Sequence, residues 1–526
     1  MKRDATKRDA TRHDAIQRHS LAIALALVAL ASLRIVLTYT VFNHTSDEPN
    51  HLACGLELLQ KGTYTFETQH PPLARVAAAI GPYLIGARIR DQVQHDTMDV
   101  PVEGVRILSH NHQYDLTLAL SRLGILPFFW IACAVVFWWT RRLYGAEAAV
   151  LALLLFSFLP PILAHAGLAT TDMALTAFLG AAFVAGIYWS EDPTPRRAAL
   201  FGGCTALAVL SKYSSLPFLP VCLLLYFLLE RPKFQRRHLA SLGLAVLVGA
   251  VVVWAGFLFS FGNSLPAPEF FSGLQSALQH NRLGHPTYLL GQHSETGFWY
   301  YYPVILAVKT PLAFLALFFV GLYRPKGVWQ PLALIGGVLA VGFYSSINIG
   351  LRHILPIYLG MAPIAALGIL RLRARVWLPA VLLLWFAASS LLAHPDYLPY
   401  FNELAAGQPE KIVVDSDLDW GQDLKRLSRR LHEVGAPSVA FHSILVASYY
   451  DEFHFPRMTP QDPFVPTPGW NAVSVTYWKL ARLGLMVPTR DGKLENHSPD
   501  RTLWPDAVPP GERIGKSIIL WNMVAR

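Results

Sequence analysis

Charge is scarce in this chain. Only 15% of its 526 residues are Asp, Glu, Lys or Arg, against about a quarter in an ordinary soluble domain. That shortage excludes a charge-rich disordered chain and argues against a soluble enzyme. Cysteine is scarce too. Cys54, Cys133, Cys204 and Cys222 are the four present; three lie inside apolar blocks, and none forms a CxxC or metal-type spacing, which excludes a disulfide framework or a cysteine metal site. The formal net charge of +9 is not gathered into a basic face. It is split into short clusters between apolar blocks, so nucleic acid is not an expected partner. The first apolar run also lacks a small-x-small cleavage site, so it reads as a membrane helix rather than a signal peptide.

Apolar residues are what the chain has in excess, at 53% with a mean hydropathy of +0.35. They come in blocks near the length that crosses a bilayer, roughly 17–25 residues. The first runs from about Leu21 to Phe42. Further spans are predicted at 122–140, 146–163, 173–189, 197–211, 214–229, 239–261, 303–323, 328–347, 354–370 and 376–393. These make about eleven transmembrane helices. With residues 1–19 as a disordered cytoplasmic tail, the predicted inner loops hold Arg141-Arg142, Arg196-Arg197, the stretch Arg231 to Arg237, Arg324 with Lys326, and Arg371, Arg373 and Arg375. Each inner loop is basic, as the positive-inside rule requires.

Three larger regions then fall outside: 43–120, 262–302 and 394–526. The second contains FFSGLQSAL, which suits an interfacial helix. In the third, KIVVD, PSVAFHSIL, NAVSVTYW and KSIILWNMV read as strands and Gly421 to Glu433 as a helix, predicting a small extracytoplasmic α/β domain. The domain plan is therefore a tail (1–19), a membrane domain (20–393, with its first outer loop at 43–120) and an outer domain (394–526).

The polar residues that stand out gather on the outer side. Asp47 and Glu48 follow the first helix. Asp172, in LATTDMAL, lies at the outer end of another helix, where an acid is costly unless it is paired, hydrated or functional. It also suits a helix N-cap. His70 precedes Pro71-Pro72, which set an extended entry into a helix beginning near Leu73. Lys212 and Arg352 are basic exceptions on the outer side; His353 adjoins Arg352, and Lys309 lies inside a predicted span. Such cations can snorkel, pair with the acids, or hold a lipid phosphate. Asp47, Glu48, His51 and His70 in one loop leave a divalent metal ion open, with no diagnostic spacing among them. Trp420, Trp470, Trp478 and Trp504 suit core packing or sugar stacking in the outer domain.

Taken in order, DEPNHLACGLELLQKG, HPPLARVAAAIGPYL, LATTDMALTAF, LSKYSSLPFLP, YYYPVILAVKTPL and NIGLRHILPIY resemble the GT-C glycosyltransferases of the protein O-mannosyltransferase and aminoarabinose-transferase type. HPDYLPYFNELAAG and VVDSDLDWGQDLKRL resemble a bacterial branch of that family. The resemblance spans residues 40–435. It implies an α-helical polytopic membrane fold and transfer of a sugar, hexose or mannose, from a polyprenyl-phosphate donor to a lipid, glycan or protein acceptor. The expected place is the outer face of a bacterial inner membrane, in cell-envelope glycosylation. Asp47 matches the family's general base, Glu48 its adjacent acid and Asp172 its second acidic position; His70 falls where some members carry a basic residue near the lipid phosphate. Gln69-His70 replaces an acid-plus-lysine pair found elsewhere. By chemistry, a base opposite a departing phosphate gives single displacement with inversion. The rival classes are a transporter or flippase of lipid-linked sugars, whose inverted repeats are not evident, and a non-enzymatic membrane protein with a partner-binding outer domain.

Overall fold

Backbone polar groups cannot be left unpaired in a hydrocarbon medium, so each long apolar block must close its hydrogen bonds within a helix. The computed structural model describes residues 2–91, 93, 99–262, 264–323, 327–442, 451–480, 486–488, 494–496 and 503–523. Its first helix, α1 (Lys2–Val36), includes the segment expected to be a disordered tail. That segment is rich in Ala, Lys and Arg, good helix formers, and extending a helix already nucleated by the span costs little.

The segment 43–120 is largely helical: α2 (Glu48–Lys61), α3 (Pro72–Leu84) and α4 (Asp99–Leu108), followed by α5 (Tyr114–Leu123). The apolar blocks beyond it form α6 (Leu126–Ser157), α7 (Pro160–Ala166), α8 (Asp172–Glu191), α9 (Pro195–Ser211), α10 (Ser215–Glu230) and α11 (Arg236–Gly256). The FFSGLQSAL stretch lies in α12 (Pro268–Leu283). Then come α13 (Tyr301–Lys309), α14 (Leu312–Leu322), α15 (Trp329–Tyr344), α16 (Ile357–Arg371) and α17 (Trp377–Leu392).

Every predicted span thus coincides with helix, but three differ in kind. Spans 122–140 and 146–163 run together in α6, broken at Gly145, whose φ of 87° is open to glycine. Span 303–323 is a bent pair: α13 and α14 meet at 113°, because Pro311 has no N–H to continue the ladder. Among the described residues four helices are by themselves long and apolar enough to cross a membrane, five with the bent pair, and four shorter apolar helices join them. Arg324 and Lys326 lie outside the described residues.

Two glycines set the geometry at the end of the bundle that carries the polar cluster. A Cβ on Gly55 in α2 would stand 2.1 Å from the Arg75 carbonyl oxygen, so α2 and α3 touch backbone to backbone there. Gly350 takes a φ of 146° beside Ser416, joining the turn before α16 to the C-terminal region.

After α17 the chain forms α18 (Leu424–Glu433) and a five-stranded sheet. Its strands are β1 (Ser438–His442), β2 (Arg457–Thr459), β3 (Gly469–Ser474), β4 (Glu512–Ile514) and β5 (Ile518–Met523), in the order β4-β5-β3-β1-β2. β1 is parallel to β2 and β3; β5 is antiparallel to β3 and β4. Alternate residues serve opposite faces. Ile518 and Leu520 pack with Leu424, Leu427 and Leu431 of α18, whereas Ile519 and Trp521 pack with Val473 and Trp504. Trp504 and Trp521 are core residues, their rings 4.8 Å apart. The expected strand at KIVVD is absent: two short 3-10 turns flank it, and its one ladder contact is a bridge between Val413 and Leu289. Residues 443–445, the end of the PSVAFHSIL prediction, lie outside the described residues.

Candidate functional site

Asp47 stands at the N-cap of α2, where an aspartate would ordinarily bond the first free N–H groups. Here its side chain makes no cap bond. It accepts instead from Arg352 Nη1 at 2.7 Å, across a cavity of about 750 Å³. Burial favours the neutral acid, but the Arg352 charge, His51 and the Arg352 hydrogen bond outweigh it, holding the Asp47 carboxyl below its usual range. Asp47 is therefore a carboxylate at neutral pH.

Arg352 comes from the turn before α16, and its guanidinium lies 4.1 Å over the Trp420 ring. Behind it is Asp172, the first residue of α8, fully buried and off the cavity wall. Asp172 accepts from Lys212 Nζ at 2.7 Å and lies 4.0 Å from Arg352. Thr171 is the N-cap of α8 and makes no side-chain cap bond, so Asp172 serves to hold two cations at the wall. Lys212 lines the cavity just before the N-terminus of α10, whose first N–H groups are taken up locally, Ser215 N by the Lys212 carbonyl and Leu216 N by that of Tyr213, both at 3.0 Å.

His70 and His353 also line the cavity. His70 Nδ1 and His353 Nε2 are buried with no hydrogen-bond partner among the described residues, as are Arg352 Nε and the Tyr213 hydroxyl on the same wall. Burial, with Arg75 beside His70 and Lys212 and Arg352 beside His353, pushes both imidazoles well below the usual histidine range. They are neutral hydrogen-bonding groups.

Two expected site residues lie elsewhere. Glu48 was expected as an acid adjacent to the base. Successive helix residues point about 100° apart, and Glu48 turns into the core. It accepts from Arg122 Nε and Nη2 at 2.8 Å each, from Thr45 N at 2.8 Å and from Ala169 N at 2.9 Å. Lys309, expected to bind substrate, ends α13 at the bend and donates to the carbonyls of Leu398 at 2.7 Å and Asp417 at 2.5 Å. It fastens the C-terminal segment to the membrane helices and is not on the cavity wall.

Arg75 was missed by sequence reasoning because it sits within an apolar helix. It is wholly buried, donates to His51 Nδ1 at 3.0 Å and to the Tyr64 hydroxyl at 2.9 Å, and pairs with Glu67. The signal available was an unexplained cation three residues after HPP. Arg75 also bears on metal binding. His51 Nδ1 and Glu67 are engaged by its guanidinium, Glu48 faces Arg122, and among the described residues no three His, Cys, Asp or Glu side chains converge as a metal site. The residues do not fit the divalent ion left open above.

One end of the bundle carries these groups. The other carries basic pairs such as Arg142–Glu191, with Glu191 one α8 length, roughly 30 Å, from Asp172.

The family model described as dolichyl-phosphate-mannose-protein mannosyltransferase matches residues 122–255. Among solved structures, ArnT from Cupriavidus metallidurans bound to undecaprenyl phosphate superposes with a TM-score of 0.53 at 14% identity, covering 94% of this chain and 97% of that one. The apo state of the same protein gives 0.52 at 16% identity, covering 87% and 94%. No curated relative matches by sequence. Residues 122–255 are thus similar to that mannosyltransferase family, and nearly the whole chain has the fold of ArnT.

Proposed function

We propose that this chain transfers a sugar from a polyprenyl-phosphate donor to an acceptor hydroxyl at the outer face of a bacterial inner membrane, with inversion. The observation that carries the reading is the Asp47–Arg352 pair at 2.7 Å on the wall of a cavity that also exposes Lys212. A carboxylate that can take a proton thus stands beside cations that can hold a phosphate.

The lipid phosphate sits against Lys212 and Arg352, with the unpartnered Arg352 Nε, His353 Nε2 and Tyr213 hydroxyl as further donors. As the bond from anomeric carbon to phosphate oxygen breaks, its electron pair stays on the phosphate. The cations stabilise that growing charge more than the ground state. Asp47 takes the proton of the acceptor hydroxyl as its oxygen bonds to the anomeric carbon from the opposite face. A carboxylate held this low is a weak base, so proton transfer comes late, when the attacking oxygen has become acidic. Asp172 acts through Lys212 and Arg352 as a positioning residue.

The rest of the architecture follows as part of the proposal. Some eleven crossings put the N-terminus in the cytoplasm, residues 20–393 form the catalytic membrane domain, and residues 394–526 form an outer domain. The resemblance favours a hexose, mannose among the candidates.

The test uses reconstituted protein and a radiolabelled polyprenyl-phosphate hexose panel with lipid, glycan and protein acceptors. Label is expected in a product, and Asp47→Asn, folded as the wild type, is expected to lose about 10²–10⁴-fold in rate. Label that only crosses the vesicle membrane makes the protein a transporter; full activity in Asp47→Asn removes the base assignment.

A further inference from the structure

The sequence DSDLDWGQD, residues 415–423, carries four aspartates, and the fold uses them differently. Asp417 binds the membrane helices: its Oδ1 accepts from Leu351 N at 3.1 Å and its Oδ2 from the Tyr301 hydroxyl at 3.3 Å. Asp419 binds the sheet domain, accepting from Thr476 N at 2.9 Å and from the Ser474 hydroxyl. Asp423 accepts from the Ser517 hydroxyl at 2.8 Å and pairs with Arg426. These three are spent on holding the segment in place.

The segment is also stitched to the loop that carries Asp47. Ser46 N donates to the Trp420 carbonyl at 3.1 Å, and Asn43 Nδ2 donates to that of Gly421 at 2.6 Å. Asp415 is the remaining acid, and it lines the same cavity as Asp47. Its Oδ1 accepts from Ser416 N, its own N–H is held by Thr476 Oγ1 at 2.8 Å, and its φ is 60°. The other carboxylates on the wall, Asp47 and Glu67, each have a guanidinium. Among the described residues no cation lies within 4.0 Å of Asp415.

We propose that Asp415 is a sugar-binding residue, its carboxylate accepting hydrogen bonds from hydroxyl groups of the donor sugar. The outer domain thereby supplies part of the reaction site. This rests on the lipid-phosphate reading above. A free carboxylate repels a phosphate, so the phosphate belongs at the Lys212 and Arg352 side, where the buried Arg352 Nε lacks a partner. The neutral polyol attached to it is the part of the donor that can satisfy Asp415, since a carboxylate is an acceptor only and sugar hydroxyls are donors.

Binding is measured for full-length wild type, Asp415→Asn and Asp417→Asn, with undecaprenyl phosphate and with its mannose, glucose and galactose phosphodiesters. At least one sugar lipid should bind wild type more tightly than undecaprenyl phosphate does. Asp415→Asn should lose about ten- to a hundredfold for that lipid, the worth of hydrogen bonds to a charged group, with little change for undecaprenyl phosphate. Asparagine accepts the left-handed backbone of this site, and Asp417→Asn is expected to lose thermal stability instead. The assignment is overturned if Asp415→Asn keeps the wild-type preference, or if no sugar lipid is preferred by the wild type. If wild type binds none of the lipids, the lipid-phosphate reading fails and Asp415 falls with it.

Discussion

Replacing Glu48 by glutamine separates a structural acid from a catalytic one. Glu48 and Arg122 are each about 1% exposed and form a bidentate pair, both bonds 2.8 Å. Glu48 also accepts from Thr45 N, Thr45 Oγ1 and Ala169 N. A glutamine amide at this place keeps one acceptor and turns a donor toward groups that are themselves donors. It leaves the Arg122 guanidinium buried without its counter-charge. Breaking one partner of such a pair costs about 3–5 kcal/mol. The double variant Glu48→Gln with Arg122→Met should recover part of that loss by removing the stranded charge. It recovers only part, because Arg122 also donates to the carbonyls of Tyr39 at 3.1 Å and Asn43 at 2.9 Å. The assay is thermal unfolding in detergent at one scan rate, paired with transfer activity well below the midpoint. Glu48→Gln should melt earlier while its folded fraction keeps activity to within about tenfold, far from the effect of removing a base. A variant that melts with the wild type but has lost transfer would refute the reasoning and return Glu48 to the chemistry.

Arg352→Gln should move the acid limb of the activity profile to higher pH as well as lower kcat/KM. Activity needs ionised Asp47 and is lost as pH falls through its pKa; without the guanidinium, burial and the Asp172 charge push Asp47 up, opposed by His51. A pH–rate profile with an unmoved acid limb would sink this account. Gly55→Ala should destabilise by about 1–3 kcal/mol, because the new methyl meets the Arg75 carbonyl oxygen at 2.1 Å and forces α2 and α3 apart. Thermal unfolding checks it, and an unshifted midpoint would mean the helices separate freely.

The sequence by itself determined the membrane class, the helical spans and the gathering of the polar cluster at one end of them. Hydropathy and basic loops follow from transfer energies that act residue by residue, so they can be read locally. It also singled out Asp47, His70, Lys212, Arg352 and His353, all of which the fold brings to one cavity. Only the tertiary structure decided which way neighbouring side chains turn. Asp47 and Glu48 are adjacent and chemically alike, yet one meets Arg352 and the other Arg122. Asp172 became a support behind Lys212, and Lys309 a latch at a bend caused by Pro311. Asp415 reaches the cavity from a segment beyond the last membrane helix, and Arg75, from an apolar helix, braces His51 and Glu67 of its wall. These outcomes depend on partners distant in the chain, and a local pattern carries no information about which partner a charged group will find.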